Sequence, residues 1–107
     1  MNTPYDLSWD VKAMKALRNY YNYFKKNASV AVAERFLEAV SQAVETLLEQ
    51  PERYPREKLL LHLPQNYRTI PVWDFRIIYE FTGYELMVLF IYHARQDPKK
   101  VKKAFEG

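Results

Sequence analysis

Three strand-like runs follow one another closely in the second half of the chain, and they constrain the fold more than any other feature. The runs are Tyr67–Trp73, Phe75–Phe81 and Tyr84–Tyr92. Each is rich in β-branched and aromatic residues, which favour strands. Only Asp74 separates the first two runs, and Thr82-Gly83 separates the second from the third. Because connections this short join antiparallel neighbours, the segment predicts a three-stranded antiparallel meander.

Two details place these strands within the sheet. Pro71 lacks a backbone N–H and therefore predicts that the first strand lies at an edge. The stretch Leu86–Ile91 is continuously apolar, which is typical of a central strand or one covered on both faces.

The first half of the chain has a helical pattern. Apolar residues recur at intervals of three or four, which predicts a helix whose buried face is formed by these side chains. They are Val11, Met14, Leu17, Tyr21 and Phe24. A short strand at Tyr5-Asp6-Leu7 is expected to precede this helix, with Ser8 or Asp10 as its N-cap.

A second helix is expected from Ser29 to about Gln50, where Pro51 stops it. Two closely joined helices pack as an antiparallel hairpin. Asp97-Pro98 predicts the start of a last short helix. The sequence thus indicates an α+β fold of order β-α-α-β-β-β with a short C-terminal helix, in which the helical hairpin packs on the meander.

Composition limits the kinds of site that this fold can carry. A length of 107 residues fits a single domain spanning 1–107. The absence of cysteine excludes disulfides and thiolate zinc sites and fits a reducing, cytoplasmic location. Two histidines are too few for a histidine-based metal site, so no metal and no cofactor are expected. No signal peptide is expected at Met1–Asp10, and no apolar run reaches the roughly 18 residues that a membrane span needs.

Polar side chains follow the third strand-like run. His93, Arg95 and Asp97 alternate, so on an extended segment they would point to one side and form a polar cluster at the rim of the sheet. Lys99, Lys100, Lys102 and Lys103 add a positive patch that suits nucleic acid or an acidic partner. The structural alternatives are a solvated tail, an Arg95–Asp97 ion pair and a hydrogen-bonded structural histidine.

Several short motifs, taken in order, resemble the RelE/ParE superfamily of bacterial type II toxins. The motifs are Ala33-Glu34-Arg35-Phe36, Leu47-Leu48-Glu49-Gln50-Pro51, Tyr67-Arg68-Thr69-Ile70-Pro71-Val72, Phe75-Arg76-Ile77-Ile78-Tyr79 and Ile91-Tyr92-His93-Ala94-Arg95-Gln96-Asp97-Pro98. Each motif is weak alone, but together they cover nearly the whole chain. The resemblance implies a toxin with roles in plasmid stabilisation or stress response.

The resemblance implies one of two activities. RelE-like members are similar to ribosome-dependent ribonucleases that cleave mRNA, and the resemblance places Arg76 and Arg95 at the positions of their phosphate-stabilising arginines. His93 is a candidate acid or base, because imidazole titrates near neutrality. ParE-like members bind and poison DNA gyrase without catalysis. The C-terminal tyrosine of RelE-like enzymes has no match, since Val101 and Phe105 occupy that tail. The ParE-like branch is therefore favoured, so the preferred interpretation is a toxin without catalytic activity. A non-toxic binding protein with this fold is a third alternative.

Contact surfaces also follow from the resemblance and from exposure. The expected partners are a cognate antitoxin and DNA gyrase, or the ribosome and mRNA in the RelE-like alternative. Residues expected to contact the target are Arg68, Arg76, His93, Arg95, Asp97, Lys99 and Lys100. Arg68 has the alternative of pairing with Glu80 or another acidic neighbour. The antitoxin is expected to contact Trp9, Tyr20 and Tyr23, which we interpret as lying on the first helix but off its main apolar face. An unpaired edge of the sheet is expected to contribute to the same interface.

Overall fold

The computed structural model describes residues 5–106. The elements are β1 (Asp6–Trp9), α1 (Val11–Asn27), α2 (Val30–Glu45), β2 (Tyr67–Val72), β3 (Phe75–Phe81), β4 (Glu85–His93) and α3 (Pro98–Glu106). Short 3₁₀ helices lie at Thr46–Leu48 and Lys58–Leu60. The predicted α+β order is confirmed. Among the described residues, no helix is both long and apolar enough to cross a membrane.

The four strands form one mixed sheet in the order β1-β4-β3-β2. β2, β3 and β4 pair in antiparallel fashion, which confirms the predicted meander. β1 pairs with β4 in parallel through the register Asp6↔Glu85 to Trp9↔Val88. The Pro71 strand lies at an edge as predicted, and β4 has a strand on each side. The continuous apolar run of β4 fits the packing of its side chains into core clusters on both faces of the sheet.

A bulge in β4 changes which of its residues face each side of the sheet. Ile78 pairs with Phe90, but the next residue of β3, Tyr79, pairs with Val88, so Leu89 has no partner on β3. Val88 and the later Ile91 consequently belong to the same core cluster. Phe90 instead packs into a second cluster on the other side of the sheet.

The two clusters occupy opposite faces of the sheet. The larger one lies beneath the helical hairpin and is centred on fully buried side chains such as Phe36, Leu47 and Ile77. The smaller one lies beneath α3 and contains Leu60, Ile78, Tyr92 and Val101. A polar rim at the C-terminal end of β4 is thereby held on a sheet that is covered on both faces.

The predicted face of α1 is partly wrong. Val11 is 77% exposed and Met14 is 51% exposed, whereas Ala13 is completely buried. The residues of α1 that meet the core are Ala13, Ala16, Leu17, Tyr20 and Phe24. This set also recurs at intervals of three or four, and its two alanines let the helix approach closely. The periodicity alone therefore did not distinguish the two faces.

Local capping explains where the helices start. The Asp10 carboxylate accepts a hydrogen bond of 2.8 Å from the Lys12 backbone N–H, and the Ser29 hydroxyl accepts one of 3.1 Å from Val32. Asp10 was one of the two caps expected from the sequence, whereas Ser29 was expected only as the start of the second helix. The second helix is shorter than predicted, because its α-helical part ends at Glu45 and a 3₁₀ turn continues to Leu48.

Candidate functional site

The chain turns immediately after His93 and does not continue as a strand. The Gln96 backbone N–H donates to the His93 carbonyl at 2.8 Å, and the Arg95 N–H donates to His93 Nδ1 at 3.0 Å. The Asp97 carboxylate accepts from the Lys99 N–H at 3.0 Å and caps α3. The expected alternation of His93, Arg95 and Asp97 along one strand face is therefore wrong, because a turn that leads into α3 replaces the strand.

His93 and Arg76 lie on opposite faces of the sheet. His93 pairs with Phe75, and their rings meet edge to face with centroids 5.2 Å apart on the side of the helical hairpin. Arg76 pairs with Tyr92, whose side chain belongs to the cluster beneath α3. Directly opposed residues share a face, and neighbours along a strand alternate. The sheet thus separates two of the three side chains that an RNA-cleaving site was expected to combine.

A buried polar pair lies next to Arg76. The Tyr92 hydroxyl donates a 2.6 Å hydrogen bond to the Glu57 carboxylate, which is only 4% exposed and also accepts from the Leu59 N–H at 3.2 Å. Burial, together with the hydrogen bond and negative charge of Glu57, raises the pKa of Tyr92, and Arg76 acts in the opposite direction. The Arg76 guanidinium itself donates to the Phe75 carbonyl at 3.0 Å.

Sequence reasoning missed this pair. Glu57 lies in the proline-punctuated connection, where no periodicity indicates which side chains turn inward. Tyr92 packs in the cluster beneath α3, on the face of the sheet opposite to His93.

The basic C-terminal patch lies on a helix that is fixed to the fold. Val101 of α3 is fully buried, and Phe105 packs against Tyr67 with ring centroids 5.0 Å apart. The Lys12 ammonium donates to the Ala104 carbonyl at 2.9 Å, and His62 contacts the Glu106 carboxylate. The exposed residues of this patch are Arg95, Lys99, Lys100 and Lys103. Their positive charges consequently project from a defined surface.

Arg68 has a structural role at the edge of the sheet. Its guanidinium donates to the Tyr54 carbonyl at 2.6 Å and lies 3.7 Å from the Glu52 carboxylate. The predicted pairing of Arg68 with an acidic neighbour is therefore confirmed, with Glu52 and not Glu80 as the partner.

The outer edge of β2 is also partly covered. The Thr69 backbone N–H donates to the Pro55 carbonyl at 3.0 Å, and the Glu57 backbone N–H donates to the Tyr67 carbonyl at 2.8 Å. The expectation of an unpaired edge on this strand is thus wrong for its first half. β1 forms the other edge of the sheet.

The three residues expected to bind an antitoxin occupy different environments. Trp9 is the last residue of β1, so it is not on the first helix, and it packs against the main core. Tyr20 lies on the packing face of α1, with ring centroids 4.6 Å from Phe75 and 6.5 Å from Phe36. Tyr23 is 59% exposed. The placement of Trp9 and Tyr20 off the apolar face of the helix is therefore wrong.

An apolar groove instead runs along the outer side of the helical hairpin toward β1. Two adjoining clefts of about 590 and 480 Å³ share Trp9, Leu17 and Leu37 as lining residues. Met14 and Tyr21 line one of these clefts, and both had been placed in the core by the sequence pattern. We call this surface the hairpin groove.

Comparison with known proteins gives two kinds of similarity. The family described as "ParE toxin of type II toxin-antitoxin system, parDE" matches residues 7–98. A solved structure of the chromosomal ParDE toxin–antitoxin system of P. aeruginosa is 19% identical with a TM-score of 0.70, covering 86% of this chain and 98% of that one. The archaeal RelE–RelB complex of Pyrococcus horikoshii OT3 is 19% identical with a TM-score of 0.52, covering 88% and 99%. At these identities the two structures show the fold alone. No protein of curated function matches the sequence.

Proposed function

This chain belongs to the ParE toxin family of type II toxin–antitoxin systems, and we propose that it arrests growth by binding DNA gyrase, without catalysis of its own. The observation that carries the proposal is the separation of Arg76 and His93 by the sheet. The exposed positive charges of the rim and α3 supply the contact surface.

RNA cleavage makes demands that this arrangement meets poorly. Attack by a 2′-hydroxyl needs a base, an acid and a charge stabiliser around one phosphate. Arg76 lies on the face covered by α3, while His93 lies on the hairpin side and accepts the Arg95 N–H through Nδ1. The apolar residues Val101 and Phe105 of α3 pack into the fold. A binding mechanism requires none of these groups to converge.

The rim suits a partner with negative charge. Arg95, Lys99 and Lys100 are exposed where β4 leads into α3, and Lys103 is exposed one turn further along this helix, in a chain of formal net charge +3. Clustered positive charge attracts acidic protein surfaces and DNA phosphates and speeds association with them. A complex of gyrase with DNA offers both kinds of negative surface.

The order in which cellular processes fail distinguishes the two activities. After expression of the full chain is induced, we expect thymidine incorporation to fall before methionine incorporation, because gyrase poisoning blocks replication first. Primer extension on translated mRNA is expected to show no new codon-positioned ends. Early loss of methionine incorporation with such ends would contradict the proposal and favour the ribosome-dependent ribonuclease.

The hairpin groove is the proposed site for a cognate antitoxin. Its lining is largely apolar, with Arg18 in the cleft that contains Met14 and with Ser41 and Glu45 in the other cleft, and an amphipathic helix with an acidic flank beside Arg18 would complement it. β1 adjoins the groove and forms an edge of the sheet, so an extended stretch of the antitoxin next to this helix would be able to add a strand there.

A charge placed in the groove tests this assignment. Met14→Glu is expected to abolish co-purification with an antitoxin encoded beside the toxin gene, because the new carboxylate would have to lose its water beneath the apolar face of the bound helix and would repel the acidic flank of that helix. Val30→Glu is the matched control, since Val30 is a 48% exposed apolar residue that does not line the groove. Equal co-purification of both variants would place the antitoxin elsewhere.

A further inference from the structure

A separate cleft of about 610 Å³ opens between the C-terminal half of α1 and the turn that joins β2 to β3. Five aromatic rings and one carboxylate dominate its lining. These side chains are Tyr20, Tyr23, Phe24, Trp73, Phe75 and Asp74. The volume lies within the range of clefts that bind small ligands or anchoring side chains.

Trp73 holds an unfavourable backbone conformation at the wall of this cleft. Its φ of 54° lies in the left-handed region, which is rare for a bulky residue. The ring is nevertheless 47% exposed, with centroids 5.6 Å from Phe24 and 5.4 Å from Phe36. Strain of this kind persists where packing fixes a side chain, and it concentrates at functional positions. An open cleft therefore retains a rigidly placed indole.

Among the described residues that line the cleft, Asp74 is the only one with a carboxylate, ammonium or guanidinium side chain. Within residues 5–106, its carboxylate forms no hydrogen bond or ion pair. Its backbone carbonyl accepts the Ala94 N–H at 2.8 Å, which ties the β2–β3 turn to the turn after His93. The Asp74 backbone is thus held in place, while its carboxylate is exposed and has no counter-ion among the described residues.

We propose that this cleft binds the guanidinium group of an arginine side chain presented by a protein partner. Aromatic faces attract cations, and this cleft places Tyr and Trp rings beside a carboxylate. Arginine fits better than lysine because its planar group stacks on rings while donating two hydrogen bonds to a carboxylate. The negative charge of Asp74 disfavours phosphate groups and acidic peptides. Cation binding at this cleft does not depend on whether gyrase is the cellular target.

The two tryptophans allow the site to be tested with a small probe. The ¹⁵N-labelled full chain would be titrated with N-acetylarginine amide, while the indole N–H resonances of Trp73 and Trp9 are followed. Trp73 lines the cleft, whereas Trp9 lines the hairpin groove and reports non-specific effects. We expect a saturable shift at Trp73, with affinity at least about fivefold higher than for the neutral isostere N-acetylcitrulline amide.

Charge variants complete the test. Asp74→Asn is expected to weaken arginine binding by about fivefold or more while leaving the fold intact, because the side chain is exposed and asparagine suits turns. Glu85→Gln removes the same charge at the opposite end of β4 and is expected to change nothing. Equal affinity for arginine and citrulline would identify a purely apolar cleft, and the absence of a Trp73 shift would exclude a site. Either result would overturn the proposal.

Discussion

Replacement of Phe36 by alanine is expected to lower the free energy of unfolding by about 3–5 kcal/mol. The side chain is completely buried in α2. Four aromatic rings surround it, and truncation would leave a cavity that these rigid neighbours fill poorly. The neighbouring rings are Tyr20, Phe24, Trp73 and Phe75, with centroid distances between 5.0 Å and 6.5 Å.

Urea denaturation followed by circular dichroism measures this loss. Domains of this size are stabilised by about 5–15 kcal/mol in total, so the variant should unfold at much lower urea concentration. Val30→Ala on the same helix is the control, because Val30 is 48% exposed and its truncation should change stability by about 0.5 kcal/mol or less. A Phe36→Ala loss below about 1 kcal/mol would contradict the central position of this ring.

Alkaline pH is expected to destabilise the fold through Tyr79. Its buried hydroxyl donates to the Pro51 carbonyl at 2.6 Å, and burial raises the pKa of Tyr79 from 10.0 to about 12. Between these values the unfolded chain loses the phenolic proton and the folded chain keeps it. The stabilisation is therefore fully present below pH 10 and is lost as the pH rises toward 12.

The expected decrease in the free energy of unfolding is substantial. A pKa difference between 10.0 and about 12 corresponds to about 2.7 kcal/mol, at about 1.36 kcal/mol per unit. The pKa of Tyr92 is raised as well, which adds to the loss in the same direction.

Urea unfolding at a series of pH values between 9 and 12 would give the slope of the free energy of unfolding against pH. Tyr79→Phe should flatten it, whereas Tyr84→Phe should not, because Tyr84 is 66% exposed in the β3–β4 turn. A slope that is unchanged in Tyr79→Phe would show that another group controls the alkaline transition.

The sheet was largely predictable because its signals are local. Alternation, Pro71 and the short turns specified three strands, their pairing and the edge position of β2. The buried face of α1 was less predictable, since two overlapping sets of residues recur at the intervals of three or four that a helix requires. Only the tertiary structure shows that Ala13 faces the sheet and Met14 faces outward.

The site was harder to predict because it depends on where the chain turns. His93, Arg95 and Asp97 alternate in sequence, but backbone hydrogen bonds to His93 end the strand there. The Glu57–Tyr92 hydrogen bond joins residues 35 positions apart, and no sequence periodicity links them. Trp73 likewise gave no sign that it would adopt a left-handed conformation usually left to glycine.

A DNA supercoiling assay with purified gyrase, relaxed plasmid and ATP tests the central claim most directly. The full chain is predicted to leave the plasmid relaxed or linearised. The combined variant Arg95→Ala, Lys99→Ala and Lys100→Ala should restore supercoiling, while loss of three exposed charges on α1 through Lys15→Ala, Lys25→Ala and Lys26→Ala should not. Complete supercoiling in the presence of excess full chain, with cleavage of ribosome-bound mRNA that Arg95→Ala abolishes, would contradict the account.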